Sequence, residues 1–260
     1  MKIIVCIKQV PSSNEVRLDP VTKTIVRDGK QSVINPFDAY AIEEAVRLKE
    51  TCGGAVTALS MGIPATERLL RDAMSRGVDE AVLLSDRVFA GSDTLATSYA
   101  LSLGVRKLGP FSLILCGKMA VDGDTAQIGP ELAEMLGIPH VTEVNRILSV
   151  TEEEAVVEKQ ADGFLETLSV KLPALLTVSK DINMPRLPSI AGIRYSEKGP
   201  FRLLGAADVG ADPERAGLSG SPTQVVKTET PRREQECTYL EGTQAEQAAA
   251  VLDLLREVRR

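Results

Sequence analysis

An α/β fold, a doubly wound and mostly parallel sheet, is predicted by three features of the first half of the chain. Strand and helix signals alternate from residue 2 to about residue 137, the pattern that builds parallel sheets through crossover helices. The strand segments are continuous apolar runs such as Ser112-Leu113-Ile114-Leu115-Cys116, as expected of strands covered on both faces. The helical segments stop at Gly53-Gly54, Gly77, Gly109 and Gly137, because glycine supplies the backbone freedom that a helix C-terminus needs.

Residues 2–8 form the first strand, ended by Lys8-Gln9-Val10-Pro11. Val16–Asp19 and Thr24–Arg27 flank a Pro-containing turn and read as a small hairpin on the sheet edge. A helix starts at Asn35-Pro36, with Asn as the N-cap, Pro at the first helical position and Asp38 in the first turn. Ile42, Ala45 and Val46 follow at helical spacing. Ala55–Leu59 is the second strand, Thr66–Arg76 a helix and Ala81–Leu84 a strand. Ser92 or Asp93 caps a helix running to Leu108, and the strand Ser112–Cys116 and a helix from Pro130 to Leu136 complete the alternation. Beyond Pro139 four strand-like segments, Val141–Val150, Ala155–Gln160, Phe164–Lys171 and Ala174–Ser179, predict an antiparallel extension, with Asp162-Gly163 as a hairpin signal. From Asp181 regular pattern fades into Pro- and Gly-punctuated sequence, expected to lie as an arm on another chain. Thr243 to Arg260 reads as one amphipathic helix. The expected organisation is therefore residues 1–183 as the α/β domain, 184–242 as an exposed loop and arm, and 243–260 as the C-terminal helix.

Composition narrows the function. The 260 residues are 43% hydrophobic and 25% charged, with 30 Lys and Arg against 36 Asp and Glu. A net charge of −6 argues against a nucleic-acid binder, which needs a basic face to neutralise phosphates. No apolar run approaches a membrane span, and the first residues are too short and too strand-like for a signal peptide, so a cytoplasmic location is expected. Cys6, Cys52, Cys116 and Cys237 form no Cys-x-x-Cys pair, so no zinc or iron–sulfur site is indicated. His140 is the only histidine and Gly-x-Ser-x-Gly is absent, which leaves a Ser/His hydrolase little support and gives no catalytic residue.

The most informative stretch is the loop Gly117-Lys118-Met119-Ala120-Val121-Asp122-Gly123-Asp124-Thr125-Ala126-Gln127-Ile128-Gly129. It links a buried strand to a helix N-terminus, where free N–H groups and the helix dipole favour an anion. Its two aspartates suit hydroxyls, backbone N–H groups or a metal better than a bare phosphate, and the combination points to a nucleotide held by ribose as well as phosphates. The same spacing also fits an ordinary βα turn in which Asp122 caps a neighbouring amide and Asp124 caps the helix. In doubly wound sheets ligands sit beyond the carboxyl ends of the strands, so the loops after the first, second and fourth strands are expected on one rim.

These residues, in this order, resemble the small (beta) subunit of electron transfer flavoproteins. The likeness is carried by Val5–Pro11, Asn35-Pro36-Phe37-Asp38-Ala39, Glu43–Lys49, Ser60-Met61-Gly62, the Asp122–Gln127 loop and Leu172-Pro173-Ala174. The resemblance implies a Rossmann-like, adenine-nucleotide-binding fold and a larger alpha subunit that carries FAD. It places nucleotide contacts on Cys6, Asn35, Pro36, Phe37, Asp38, Met61 and Gly117 through Ile128. It also implies a partner-recognition loop after Pro185-Arg186, with Ile190 as its aliphatic anchor. Ordinary members hold AMP; the sequence is similar to the electron-bifurcating members, in which a second FAD replaces AMP and NADH is the donor. Gly91–Ser98, the Asp-Gly-Asp-Thr-Ala-Gln loop and Gly217–Thr223 carry that closer likeness, and Thr94 and Thr97 are the hydroxyls it places near a flavin edge; their bland reading is helix capping and exposure. The partner dehydrogenase implied is an acyl-CoA dehydrogenase or a lactate dehydrogenase. A Walker loop is absent, and Lys8–Ser13 lacks the glycines of an ATP pyrophosphatase loop. A non-bifurcating subunit with structural AMP, or an adenine-nucleotide-binding module of another class, is the competing reading.

Overall fold

The computed structural model describes residues 1–12, 32–226 and 239–258, and a nine-stranded sheet forms its centre. In chain order the elements are β1 (Lys2–Cys6), β2 (Gln9–Pro11), β3 (Ser32–Ile34), α1 (Pro36–Cys52), β4 (Ala55–Met61), α2 (Glu67–Ser75) and β5 (Glu80–Leu84). There follow α3 (Thr94–Leu108), β6 (Leu113–Gly117), α4 (Ile128–Leu136), β7 (His140–Val150), β8 (Glu154–Ala161) and β9 (Phe164–Lys171). The last are β10 (Ala174–Val178), α5 (Ile190–Lys198), β11 (Phe201–Leu204) and α6 (Gln244–Val258). The sheet order is β11-β5-β4-β1-β6-β10-β7-β8-β9. From β11 to β7 every pairing is parallel, and β7-β8-β9 is antiparallel. Strand order runs outward from β1 through β4 to β5, then reverses at β6. The reversal puts a crevice between β1 and β6, where ligands sit in such sheets.

Alternation along each strand divides the core between two faces. Ile3 and Val5 of β1 pack with Leu83, Leu115 and with Ile42, Val46, Leu70 and Met74 of α1 and α2. Ile4 and Cys6 pack on the other face with Leu59, Val82, Ile114 and with Tyr99, Leu101, Val105 and Leu132 of α3 and α4.

The alternating half matches the expected elements closely apart from β2; the second half departs from them in two places. Ala174–Val178 is not part of the antiparallel extension. All five residues are buried, and β10 slots between β6 and β7, parallel to both, as an apolar run sealed on both faces does. The stretch after Pro188 is not irregular: Ile190 opens α5, capped by Ser189, and β11 adds a parallel edge to β5. Gly192 fits because an added Cβ would collide with the Ser75 carbonyl of α2. Gln9–Pro11, expected only as a strand end, pairs antiparallel with Ser32–Ile34. The hairpin expected over Val16–Arg27 lies outside the described residues.

The chain divides into two compact units, Met1–Gln224 and Val225–Arg260. In the second, α6 opens on a capping box: Thr243 Oγ1 accepts from Glu246 N–H at 3.4 Å, and Glu246 Oε2 accepts from Thr243 N–H at 2.8 Å. Val251, Leu252, Leu254 and Leu255 of this helix are exposed.

Candidate functional site

Three chain segments meet at the β1–β6 crevice, and one buried carboxylate joins them. Asp38, in the first turn of α1, accepts hydrogen bonds from Lys8 N–H at 2.7 Å, Gly117 N–H at 3.2 Å and the Asn35 side-chain amide at 2.9 Å. Burial pushes its carboxyl up to about 7, against the downward pull of these three donors. Gly117 ends β6 against this cluster: a Cβ there would lie 2.5 Å from Asp38 Oδ1 and 2.6 Å from the Phe37 carbonyl carbon. That close approach is the reason for a glycine at this strand end.

Asn35 is buried and stands at the N-cap position of α1, but its side chain makes no capping hydrogen bond, contrary to what the Asn-Pro start predicts. Its amide donates to the Met119 carbonyl at 2.8 Å, and its Oδ1 accepts from Val121 N–H at 3.2 Å. The side chain is thus spent on fastening the loop after β6 to the start of α1. Pro36 and Phe37 follow in the first helical turn. Lys8, beyond β1, holds the same loop from another side by an ion pair with Asp122 Oδ1 at 2.6 Å. Lys118 at its base pairs with Glu143 Oε1 at 3.0 Å. Glu143 sits at positive φ, 57°, where the β7–β10 register shifts.

Beyond Ala120 the loop is exposed from Val121 to Gln127. Asp124 N–H and Gly123 N–H bond back to the Ala120 carbonyl. Asp124 and Ala126 hold φ of 53° and 55°, in the left-handed region that costs a residue with a Cβ about 1–2 kcal/mol. Such strain persists mainly where a ligand or packing demands it. Ala126 in that region is followed by Gln127 in the right-handed one, an alternation that turns successive N–H groups toward one point and forms an anion-binding nest. The N–H groups of Thr125, Ala126 and Gln127 bond to no described residue. They immediately precede α4, which has no side-chain cap. The ordinary-turn reading, with Asp122 capping an amide and Asp124 capping the helix, finds no support: Asp122 pairs with Lys8, and Gln127 is the cap residue.

The remaining sequence candidates lie at or near the ends of β1, β4 and β6, on α3 and at the start of α5. Cys6 ends β1, Cys116 lies one residue before the end of the adjacent β6, and both are buried toward α3 and α4. Hydrogen bonding from Cys6 and burial raise the Cys116 thiol well above its ordinary range, so it is held neutral. Met61 ends β4, next to β1. Thr94 opens α3, and its hydroxyl bonds Glu131 Oε1 of α4 at 3.1 Å while Ser98 bonds Oε2 at 3.0 Å. Thr97 lies half-buried on the same helical turn. Ile190 begins a helix rather than lying in a loop, and with Met184 and Leu187 it forms a stripe in which each side chain is more than three-quarters exposed.

Lys8, Asp93, Glu131 and Glu143 were not singled out as site residues from sequence. Lys8 alone carried a signal, a cation just past the carboxyl end of a strand. The other three depend on contacts between distant elements. Asp93 in particular brings Gly217–Thr223 to the start of α3: its N–H donates to Ser221 Oγ at 2.8 Å and its Oδ2 accepts from Thr223 Oγ1 at 2.7 Å.

Among the described residues no cluster of His, Cys, Asp and Glu is placed to hold a metal ion, and no helix is long and apolar enough to cross a membrane. A family model described as "Electron transfer flavoprotein domain" matches residues 22–209. The chain is 49% identical over 236 residues to the electron transfer flavoprotein subunit beta of Thermoanaerobacterium thermosaccharolyticum, covering 90% of each chain. It is 43% identical over 257 residues to the same-named subunit of Clostridium acetobutylicum, covering 99% of this chain and 98% of that one. It is 42% identical over 253 residues to the caffeyl-CoA reductase-Etf complex subunit CarD of Acetobacterium woodii, covering 97% of this chain and 96% of that one.

Proposed function

Because the chain belongs to the electron transfer flavoprotein family as a beta subunit, which implies an alpha-subunit partner, we propose that its β1–β6 rim binds FAD. In this reading the heterodimer is electron bifurcating: NADH is the donor, and electrons pass toward the FAD of the alpha subunit and a partner dehydrogenase. The observation that carries the reading is the nest at Thr125–Gln127, three N–H groups at the start of α4 that find no partner among the described residues, which suit a diphosphate. When bound, the flavin supplies the electron chemistry. The protein's part is to bind and orient. The buried Asn35–Asp38 pair holds the loop to α1, Lys8 offsets the charge of Asp122, and the glycine at 123 keeps the loop tip small and uncharged. The hydroxyl of Thr94, already bonded to Glu131, holds the α3 N-terminus against α4.

An AMP in the same site would use the same adenosine contacts and one phosphate; FAD needs a second. Position 123 separates the two. A side chain there meets only Lys8 Nζ at 3.9 Å, so Gly123→Asp fits the fold while adding a charge beside the phosphates. At ~4 Å and an effective dielectric of ~20, such a like-charge contact costs about 4 kcal/mol before screening. The expected outcome in the heterodimer is loss of beta-site flavin, with AMP in its place, measured by chromatography of the released nucleotides. Unchanged flavin content would contradict the assignment.

The exposed stripe Met184, Leu187 and Ile190 is the proposed docking surface for the dehydrogenase, since buried apolar anchors carry most interface energy. The name of the Acetobacterium woodii relative places that protein in a complex with a caffeyl-CoA reductase, which supports an acyl-CoA dehydrogenase as partner here over a lactate dehydrogenase. Residues 184–242 and the helix beyond, with exposed Val225, Val226, Tyr239 and Leu252, are proposed to meet partner chains. A cytoplasmic location belongs to the same proposal.

A further inference from the structure

The docking stripe hangs on one arginine. Arg186 lies between Met184 and Leu187 in sequence, and its guanidinium is held by two carboxylates of α1. Nε donates to Glu43 Oε2 at 2.8 Å, and the two terminal nitrogens donate to Glu50 at 2.6 and 3.0 Å. Its backbone N–H also donates to Glu43 Oε2 at 3.0 Å, and its carbonyl accepts from Arg76, just past α2, at 3.2 Å. Glu43 is buried. Burial alone would raise its carboxyl, but Arg186 and Arg47 hold it below the usual carboxylate range. The next residue, Glu44, accepts from Asn183 at 3.0 Å. Glu43 and Glu50 are seven residues apart and so lie on one helix face. The segment preceding α5 is therefore fixed to α1 at residues 183 and 186, while the apolar side chains around them project outward.

The same helix begins at the nucleotide rim, with Asn35 as its cap residue and Asp38 in its first turn. We propose that Arg186 is a positioning residue: by locking the docking stripe to α1, it sets the stripe relative to the nucleotide rim, so that a bound dehydrogenase is held in register for electron transfer. This rests on the reading that the dehydrogenase docks on the stripe. A bidentate arginine suits the task because its planar fork fixes orientation, which a lysine on a flexible stem does not. Neither the guanidinium nor its carboxylates need touch the partner.

The test uses the full heterodimer with its flavins and NADH as donor, and as probe whichever of an acyl-CoA dehydrogenase or a lactate dehydrogenase the wild type reduces faster. Arg186→Gln is expected to raise the half-saturating dehydrogenase concentration about tenfold or more. Flavin content and the absorbance spectrum are expected to stay at wild-type values, and hydrogen exchange across residues 183–190 to increase. Arg186→Lys is expected to restore only part of the loss. Ile190→Ala is expected to weaken coupling in the same direction, and the double variant to lose less than the two losses combined. If Ile190→Ala weakens coupling and Arg186→Gln does not, the positioning role fails while the docking surface stands. If neither variant changes coupling, or the wild type reduces neither dehydrogenase, the docking reading falls and the inference with it. Should Arg186→Gln fail to fold, Glu50→Gln removes only the exposed half of the clamp. That variant is expected to show a smaller rise in the same half-saturation, and wild-type coupling there would overturn the proposal.

Discussion

Asp38 holds three segments with one side chain, and its environment pulls its charge two ways. Burial favours the protonated form and three donors favour the carboxylate, with burial prevailing to give a value of about 7 against 3.8 for an ordinary aspartate. A carboxyl that binds its proton more tightly in the folded state contributes most to stability below the unfolded value. That contribution is lost as pH rises through the folded one, at up to about 1.4 kcal/mol per pH unit. Asp38→Asn removes this slope, so the stability gap between variant and wild type should narrow from about pH 4 to about pH 7. Denaturant midpoints across that range provide the check, and a gap that widens would contradict it. Gly117→Ala tests the neighbouring contact. Its Cβ meets backbone and a buried carboxylate rather than a flexible tip, so a loss of about 1–3 kcal/mol is expected, together with weaker nucleotide retention; an unchanged melting temperature would count against it. At this scale the sequence revealed where Asn35, Asp38 and Gly117 lie, since Asn-Pro and a strand-end glycine are local signals. It did not reveal that Asn35 serves the loop instead of capping α1, because that choice depends on Met119 and Val121 arriving from 84 and 86 residues away.

Among the elements, α3 shows how a local signal acquires a distant task. Asp93 caps the helix by accepting from Ala96 N–H at 3.0 Å, as its position before the apolar run predicts. The same carboxylate also accepts from the N–H and hydroxyl of Thr223. Burial acts to raise its carboxyl, yet these donors keep it below the usual range. Asp93→Ala should cost about 1–2 kcal/mol and release residues 221–223, seen as faster hydrogen exchange there. Protection unchanged at 221–223 would show that the contact carries no stability. Elements whose evidence is local were legible: the α1, α3 and α4 boundaries follow from Asn35-Pro36, Asp93 and Gly137. The parallel setting of β10 was not, because strand direction is a property of neighbours, although its unbroken Ala-Leu-Leu-Thr-Val pattern carried the sign of a fully buried strand. Nor was α5, whose nine residues include Gly192 at a position that reads as a breaker until the Ser75 carbonyl beside it is known.

For the whole molecule, strand order decides where chemistry is possible. The reversal between β1 and β6 opens a crevice where the loop after β6, the start of α1 and Lys8 converge, and the antiparallel β7–β9 extension lies on the far side of β10. The proposed docking stripe is tied to the same frame through α1. No acid, base or nucleophile is required of this frame, since a flavoprotein subunit works by holding its nucleotide and its partners in place. The central claim is thus a statement about occupancy. The most direct measurement is the nucleotide content of the purified heterodimer, counted by flavin absorbance and by chromatography of the released nucleotides. Two FAD per heterodimer and no AMP is the expected result; one FAD and one AMP would contradict it.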